Sequence, residues 1–315
     1  MMFLKFLLRR LLYVIPMLFI TTLIVFSLIL LIPGDPVLAM LGDSATHEKI
    51  AELRQQLGLD QPLMLQYFHW LNNAVHGDLG RSIFTGQQVD EALMQTLSVT
   101  MQLVLVGMFF SITGGMFFAV TSIYYPNSWM DYVARFFGTL GTAIPNFLVA
   151  MILIIFFSLK LNWLPATGFT SIADGPVPFI KGILLPGFSL SLAGIAVITR
   201  HLRSSLMETM DADYVRTAYS KGASRYQAIF KHSLQNALLP VVTTIGLLFG
   251  TALGATVVVE NIFAIPGMGQ LVVNAIEQRD FTMVQGVVLV MIVMVIIINF
   301  ITDLVYALLD PRIEY

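Results

Sequence analysis

Six apolar runs, each long enough to cross a bilayer or nearly so, leave this chain few ways to fold. They lie at residues 11–32, 97–123, 133–158, 183–199, 237–259 and 283–308, the fourth being the shortest. A hydrocarbon core of about 30 Å takes roughly 20 residues of α-helix. Inside lipid every backbone N–H and C=O must find its partner within the chain, so a continuous apolar run crosses as a helix. The period-2 alternation of a β-barrel is missing. Composition agrees, with 57% hydrophobic and only 11% charged residues, against roughly a quarter charged in a soluble domain. The expected fold is an all-α polytopic membrane protein with six transmembrane helices. The run at 11–32 is too long for a signal-peptide core, and no small-residue cleavage site follows it.

Basic residues set the orientation. Lys5, Arg9 and Arg10 precede the first span, and six of the 17 Lys and Arg residues fall within residues 200–235, between the fourth and fifth spans. Positive residues stay on the cytoplasmic side. Both termini and the 200–235 loop are therefore expected in the cytoplasm. The connection YYPNSWMDYVAR after the second span contributes only Arg135. The segment 33–96 is expected outside, and it holds eight acidic residues and three basic ones. It reads as folded: a helical stretch at 47–56, a break at 57–62, then the amphipathic run LMLQYFHWLNNAV. Tyr67, Phe68 and Trp70 suit the depth of lipid headgroups.

Several chemistries are excluded or unsupported. The chain has no cysteine, so it offers no disulfide or thiolate site. Its five histidines show no metal-ligand spacing. No G-x-x-x-x-G-K-[ST] loop is present to cradle phosphates. No Ser–His–Asp set, carboxylate pair or H-E-x-x-H appears on a common surface, so the chain is not expected to be an enzyme. The expected spans carry few ionisable groups, Asp303 being the main one, which disfavours an ion-coupled relay.

The 200–235 loop has internal structure. Leu206, Met210, Ala218 and Gly222 fit an amphipathic helix, a turn and a second helix. Asp211 and Asp213 stand before Tyr214-Val215-Arg216-Thr217-Ala218, where acidic groups favour a helix N-terminus. Gly222 is expected to end that helix, with φ above zero and no room for a side chain. In the fifth span, Gly246, Gly250 and Gly254 recur every four residues, allowing another helix to approach closely.

Arg216-Thr217-Ala218 followed by Gly222 resembles the EAA loop of ABC importer permeases. RSSLMETMDADYVRTAYSKGA with HSLQNALLPVVT resembles the dipeptide, oligopeptide and nickel permease subfamily. The likeness continues through RRLLYVIPMLFITTLIVFSLILLIPGDPV, LGLDQPLMLQYFHWL, GDLGRS, ENIFAIPGMGQLVVNAIEQRD and DLVYALLDPRI. The segment 33–96 is similar to that of the first permease of the pair in such systems. Arg216 and Thr217 stand where the general pattern has Glu and Ala, Pro240 lies later than the wider family's proline, and Tyr219 replaces a basic residue.

The resemblance implies a type I importer permease in the bacterial inner membrane. Its parts would be an N-terminal tail and first helix (1–32), an external segment (33–96), a permease core (97–308) with its coupling loop (200–235), and a cytoplasmic tail (309–315). It implies a heterodimer with a second homologous permease, two cytoplasmic ABC ATPases that bind the ATP and Mg, and an external solute-binding protein. The chain itself would need no cofactor, and no nucleic acid is implied. Glu208, Asp211, Ala212, Asp213, Tyr214, Arg216, Ala218 and Gly222 would meet an ATPase. Thr243, Thr244, Gly246, Gly250 and Thr251 would face the pathway. Cargo would be a peptide, glutathione, nickel or a metal chelate. A stand-alone channel, a secondary transporter and a membrane scaffold are the alternative readings.

Overall fold

Apolar runs with few helix breakers become long helices here. The computed structural model describes residues 2–31, 36–41, 45–56 and 58–309. The C-terminal tail beyond Leu309 and most of the PGDP turn lie outside the described residues. The order is α1 (Met2–Leu31), α2 (Pro36–Leu41), α3 (His47–Gln56), α4 (Leu63–Val75), α5 (Val89–Tyr124), α6 (Trp129–Leu140), α7 (Asn146–Leu153) and a π-helical turn (Ile154–Lys160). A 3₁₀ turn (Ile172–Asp174), α8 (Pro176–Met210), α9 (Asp213–Ser220), α10 (Arg225–Gln227) and a second π turn (Ala228–Ser233) come next. The chain then runs through α11 (Leu234–Phe263), α12 (Met268–Glu277) and α13 (Phe281–Leu309). Among the described residues the only β pairing is an isolated bridge between Arg81 and Gln88.

Helices Val89–Tyr124, Pro176–Met210, Arg225–Phe263 and Phe281–Ala307 are long and apolar enough to cross a membrane, and Leu12–Ser27 and Asn146–Lys160 are shorter apolar helices. Together they account for six spans, with two departures from expectation. The third span is not one helix: the chain breaks between Leu140 and Asn146. Pro145 is the cause, since its ring disfavours α-helix at Ile144 and it has no N–H to donate. The fourth span, expected to be short, lies within a helix of 35 residues. Pro176, Pro178, Lys181 and Gly182 at one end, and the polar stretch from Arg200 at the other, mask helix that continues beyond the apolar run.

The chain forms two compact units. Among the described residues, the first takes those up to Ser98 together with Pro266–Ile296, and the second takes Val99–Ile265 and those from Ile297 on. In the first unit, α4 packs on α1 through Tyr67. Its ring lies 6.0 Å from Phe19 and 5.6 Å from Phe26, and its hydroxyl pairs with Thr22 Oγ1 at 2.9 Å. Tyr67 is therefore buried, because both its ring and its hydroxyl find partners inside the protein. Asp280, ahead of α13, is buried as well. It accepts hydrogen bonds from Ser82 Oγ, Ile83 N and Met283 N, which ties the loop at 78–88 to the start of α13.

In the second unit, α5 and α8 approach closely through small residues. A Cβ on Gly115 would stand 2.6 Å from Ile198, and one on Gly194 would stand 2.3 Å from Ser111 Oγ. Between apolar helices in lipid, such close contact supplies much of the attraction. One core gathers Leu103, Phe179, Ile183, Leu190, Val259 and Phe263. The other gathers Ile123, Ile198, Leu202, Leu206, Ile229 and Val241. Helix α11 runs four residues past the expected span end and carries Glu260, which is fully buried. Thr100 Oγ1 donates to its carboxylate at 2.7 Å.

Candidate functional site

The end of α8 and the start of α11 bracket a short amphipathic helix, α9. Helix α8 stops at Asp211, and Ala212 takes an extended conformation (φ −69°, ψ 147°) that redirects the chain. Asp213 opens α9, where its charge complements the unpaired N–H groups. Two residues of α9, Val215 and Ala218, are buried. Asp213, Tyr214, Arg216, Thr217, Tyr219 and Ser220 all face out. Arg216 Nη1 lies 3.7 Å from Asp213 Oδ1 with both groups exposed, so this pair adds little to stability.

The end of α9 is a paired-carbonyl stop. Gly222 N donates to Tyr219 O at 2.9 Å and Ala223 N donates to Ala218 O at 3.0 Å, the two bonds of a Schellman motif. Gly222 sits at φ +87°, the sign expected from the sequence. Space is not the constraint: a Cβ there would meet nothing within 4 Å. Only backbone conformation demands glycine. Ser224 then caps α10 with Gln227 in a reciprocal capping box, and the second π turn buries Ala228 and Ile229.

These pieces are held to one core. Leu206 and Ile229 are buried in it, and Met210 and Leu234 pack against it. Ser233 Oγ lies 3.2 Å from Met210 Sδ, and Asn236 Nδ2 donates to Tyr214 Oη at 3.0 Å. Glu208, Asp211, Asp213, Tyr214, Arg216 and Gly222 are exposed, Ala212 is half-buried and Ala218 is buried. The structure therefore presents one exposed surface of acidic, aromatic and basic groups.

The fifth-span residues separate. Pro240, Thr243, Leu247, Thr251, Gly254, Val258 and Asn261 form an exposed stripe along α11. Thr251 Oγ1 donates to Leu248 O, and Thr244 Oγ1 lies 3.2 Å from both Pro240 O and His201 Nδ1. Gly246 turns away from this stripe: a Cβ on it would stand 2.4 Å from Thr302 Cγ2. It serves the α11–α13 contact. Gly250 is half-buried.

One cluster escaped sequence reading. Asp131, 1% exposed, is held by four groups. Arg135 donates to both carboxylate oxygens. Ser122 Oγ donates to Oδ1 at 2.5 Å, and Asn127 N donates to Oδ2 at 3.1 Å. Arg203 Nη2 approaches Oδ1 at 3.4 Å. The Arg135 hydrogen bonds hold the carboxyl well below the usual carboxylate range, against the opposing effect of burial. The i,i+4 spacing of Asp131 and Arg135 was visible in the sequence. The approach of Arg203, 72 residues away, was not.

Residues 111–315 match the family described as "Binding-protein-dependent transport system inner membrane component", and residues 2–104 match the corresponding N-terminal family. A "Probable peptide ABC transporter permease protein" (y4tP) of Sinorhizobium fredii is 38% identical over 310 residues, covering 98% of this chain and 99% of that protein. The "Dipeptide transport system permease protein" DppB of Alkalihalophilus pseudofirmus is 36% identical over 332 residues, covering 99% and 100%. Among solved structures, the inward-facing MetNI methionine ABC transporter (native crystal form) matches with TM-score 0.55 at 18% identity, over 69% of this chain and 96% of that one. An amino acid ABC transporter with histidines matches at 0.53 and 15%, over 69% and 93%. The two structures share the fold, and the two sequence families extend from end to end: the chain belongs to the inner-membrane component family of binding-protein-dependent transport systems, in its peptide-permease subfamily.

Proposed function

We propose that this chain is one of two permeases of an ATP-driven importer of di- or oligopeptides. The observation that carries the reading is α9: a small helix rigidly seated on the membrane-helix core, with a charged and aromatic face left open. Two separate ATPases drive the cycle through that face, and an external binding protein delivers the cargo. The names of the relatives favour peptide over glutathione, nickel or a metal chelate. The exposed α11 stripe alternates threonine and glycine with Leu247 and Val258. On α5 the exposed positions include Leu105, Phe109 and Phe117, as a lipid-facing helix requires. The α11 stripe therefore suits the path shared with the second permease, by alternating access.

The test is reconstitution in liposomes with the second permease, the two ATPases and the binding protein. Peptide uptake that needs ATP and all partners is expected, with no ATP hydrolysis by the purified chain alone. Uptake by the chain alone without ATP would instead establish a stand-alone channel or secondary transporter.

The orientation is tested separately. In this reading the chain lies in the bacterial cytoplasmic membrane with both termini and α9 cytoplasmic. The chain has no cysteine, so Lys221→Cys and Asp60→Cys each give a unique thiol. In intact cells an impermeant maleimide should label position 60 and spare position 221. The reverse pattern would invert the topology.

A further inference from the structure

We propose that Asp131 and Arg203 are positioning residues for energy coupling, fastening the end of α5 and the start of α6 to the last turns of α8. The helix that meets the ATPase then moves these three as one body. The proposal rests on the coupling reading of α9.

The evidence is where the bonds run. Arg203 lies in α8, about two turns before that helix ends at Met210. Its Nε donates to Ser122 Oγ at 2.7 Å, and Ser122 in turn donates to Asp131. Arg225, just beyond α9, donates from Nη2 to Ile123 O at 2.8 Å. The chain entering α9 and the chain leaving it therefore both bind the last turn of α5, at adjacent residues. Asp131 brings in α6 from its first turn, whose cap Ser128 accepts from Asp131 N.

The chemistry suits a fastening rather than simple packing. Apolar contacts such as Leu202 in the core tolerate sliding, because dispersion attraction has little directional preference. A planar guanidinium bound to a hydroxyl and a carboxylate does not, because its donors point in fixed directions. A shift of α8 against α5 by about an ångström takes the Arg203 bond beyond hydrogen-bonding range. It would weaken the hold on a buried carboxylate, where lost partners are costly. Hydrogen-bond and salt-bridge networks between rigid elements are one way such a displacement is carried.

The experiment uses the whole importer in liposomes and reads ATP hydrolysed per peptide imported. Arg203→Gln is expected to assemble with its ATPases at normal abundance while this ratio rises about tenfold. Ser122→Ala removes only the bridging hydroxyl and leaves the ion pair for folding; a rise of about threefold is expected. An unchanged ratio in Ser122→Ala overturns the proposal, including in the case where Arg203→Gln does not accumulate. A Ser122→Cys/Arg203→Cys double variant should be uncoupled, and a short bifunctional thiol reagent should restore the ratio to within about twofold of the parent. Restoration distinguishes a fastening from a merely structural polar contact, and its failure counts against the proposal. The parent importer is assayed alongside. If it shows no ATP-driven uptake, the importer reading falls; if it transports while the variants keep its ratio, only the positioning role falls.

Discussion

Gly222→Val should leave the chain in the membrane at near-normal abundance while uptake and cargo-stimulated ATP hydrolysis fall together, each by about tenfold or more. The reason is conformational. Gly222 holds φ +87°, a region that a β-branched residue enters only under strain. No neighbour blocks the added atoms, so the cost is not crowding and the transmembrane helices are untouched. The strain, about 1–3 kcal/mol, is relieved most cheaply by giving up the two bonds that close α9, from Gly222 N and Ala223 N. Tyr219 and Ser220 on the exposed face then shift. Gly222→Asn provides the control, because asparagine tolerates positive φ better than valine. Its uptake should lie between those of the parent and the valine variant. Wild-type uptake by an abundant Gly222→Val protein would mean that the end of α9 is not what the ATPase engages.

Gly246→Leu and Thr251→Leu should fail in opposite ways, although both lie in α11. At Gly246 even a Cβ would meet Thr302 at 2.4 Å. A leucine there must separate α11 from α13, and overpacking of this kind costs about 1–3 kcal/mol or more. Membrane abundance should drop several-fold, with transport per remaining molecule little changed. Thr251 is exposed, and its hydroxyl bonds only within its own helix. Thr251→Leu should therefore accumulate normally and lose uptake, because its added bulk projects into the proposed path. Immunoblots of membranes beside uptake rates separate the two. Normal abundance of Gly246→Leu would undo the packing assignment, and full uptake by Thr251→Leu would remove this residue from the path.

The apolar runs alone determined that the chain crosses the membrane as helices, and roughly where. Hydrophobic burial and backbone satisfaction in lipid are local demands that any stretch of about 20 residues reveals. The helix–turn–helix order of 200–235 was legible for a similar reason, since caps and glycine stops act over a few residues. Even so, the sequence suggested that Gly222 lacked room, whereas backbone conformation is its only constraint. The sequence also showed no break at Pro145, since residues 133–158 read as one continuous apolar span.

Tertiary structure decided which face each helix turns inward. Three glycines four residues apart look equivalent on paper, yet Gly246 meets Thr302 and Gly254 meets open space, because eight residues rotate the helix by about 80°. The sequence marks Tyr67 as an aromatic near a span, and only the packing of α4 on α1 brings the rings of Phe19 and Phe26 against it. Asp131 looked like one acid in a weakly charged connection, and only the fold brings Arg203 from a distant helix to hold it. Long-range partnership of this kind depends on helix packing, for which no local spacing rule exists.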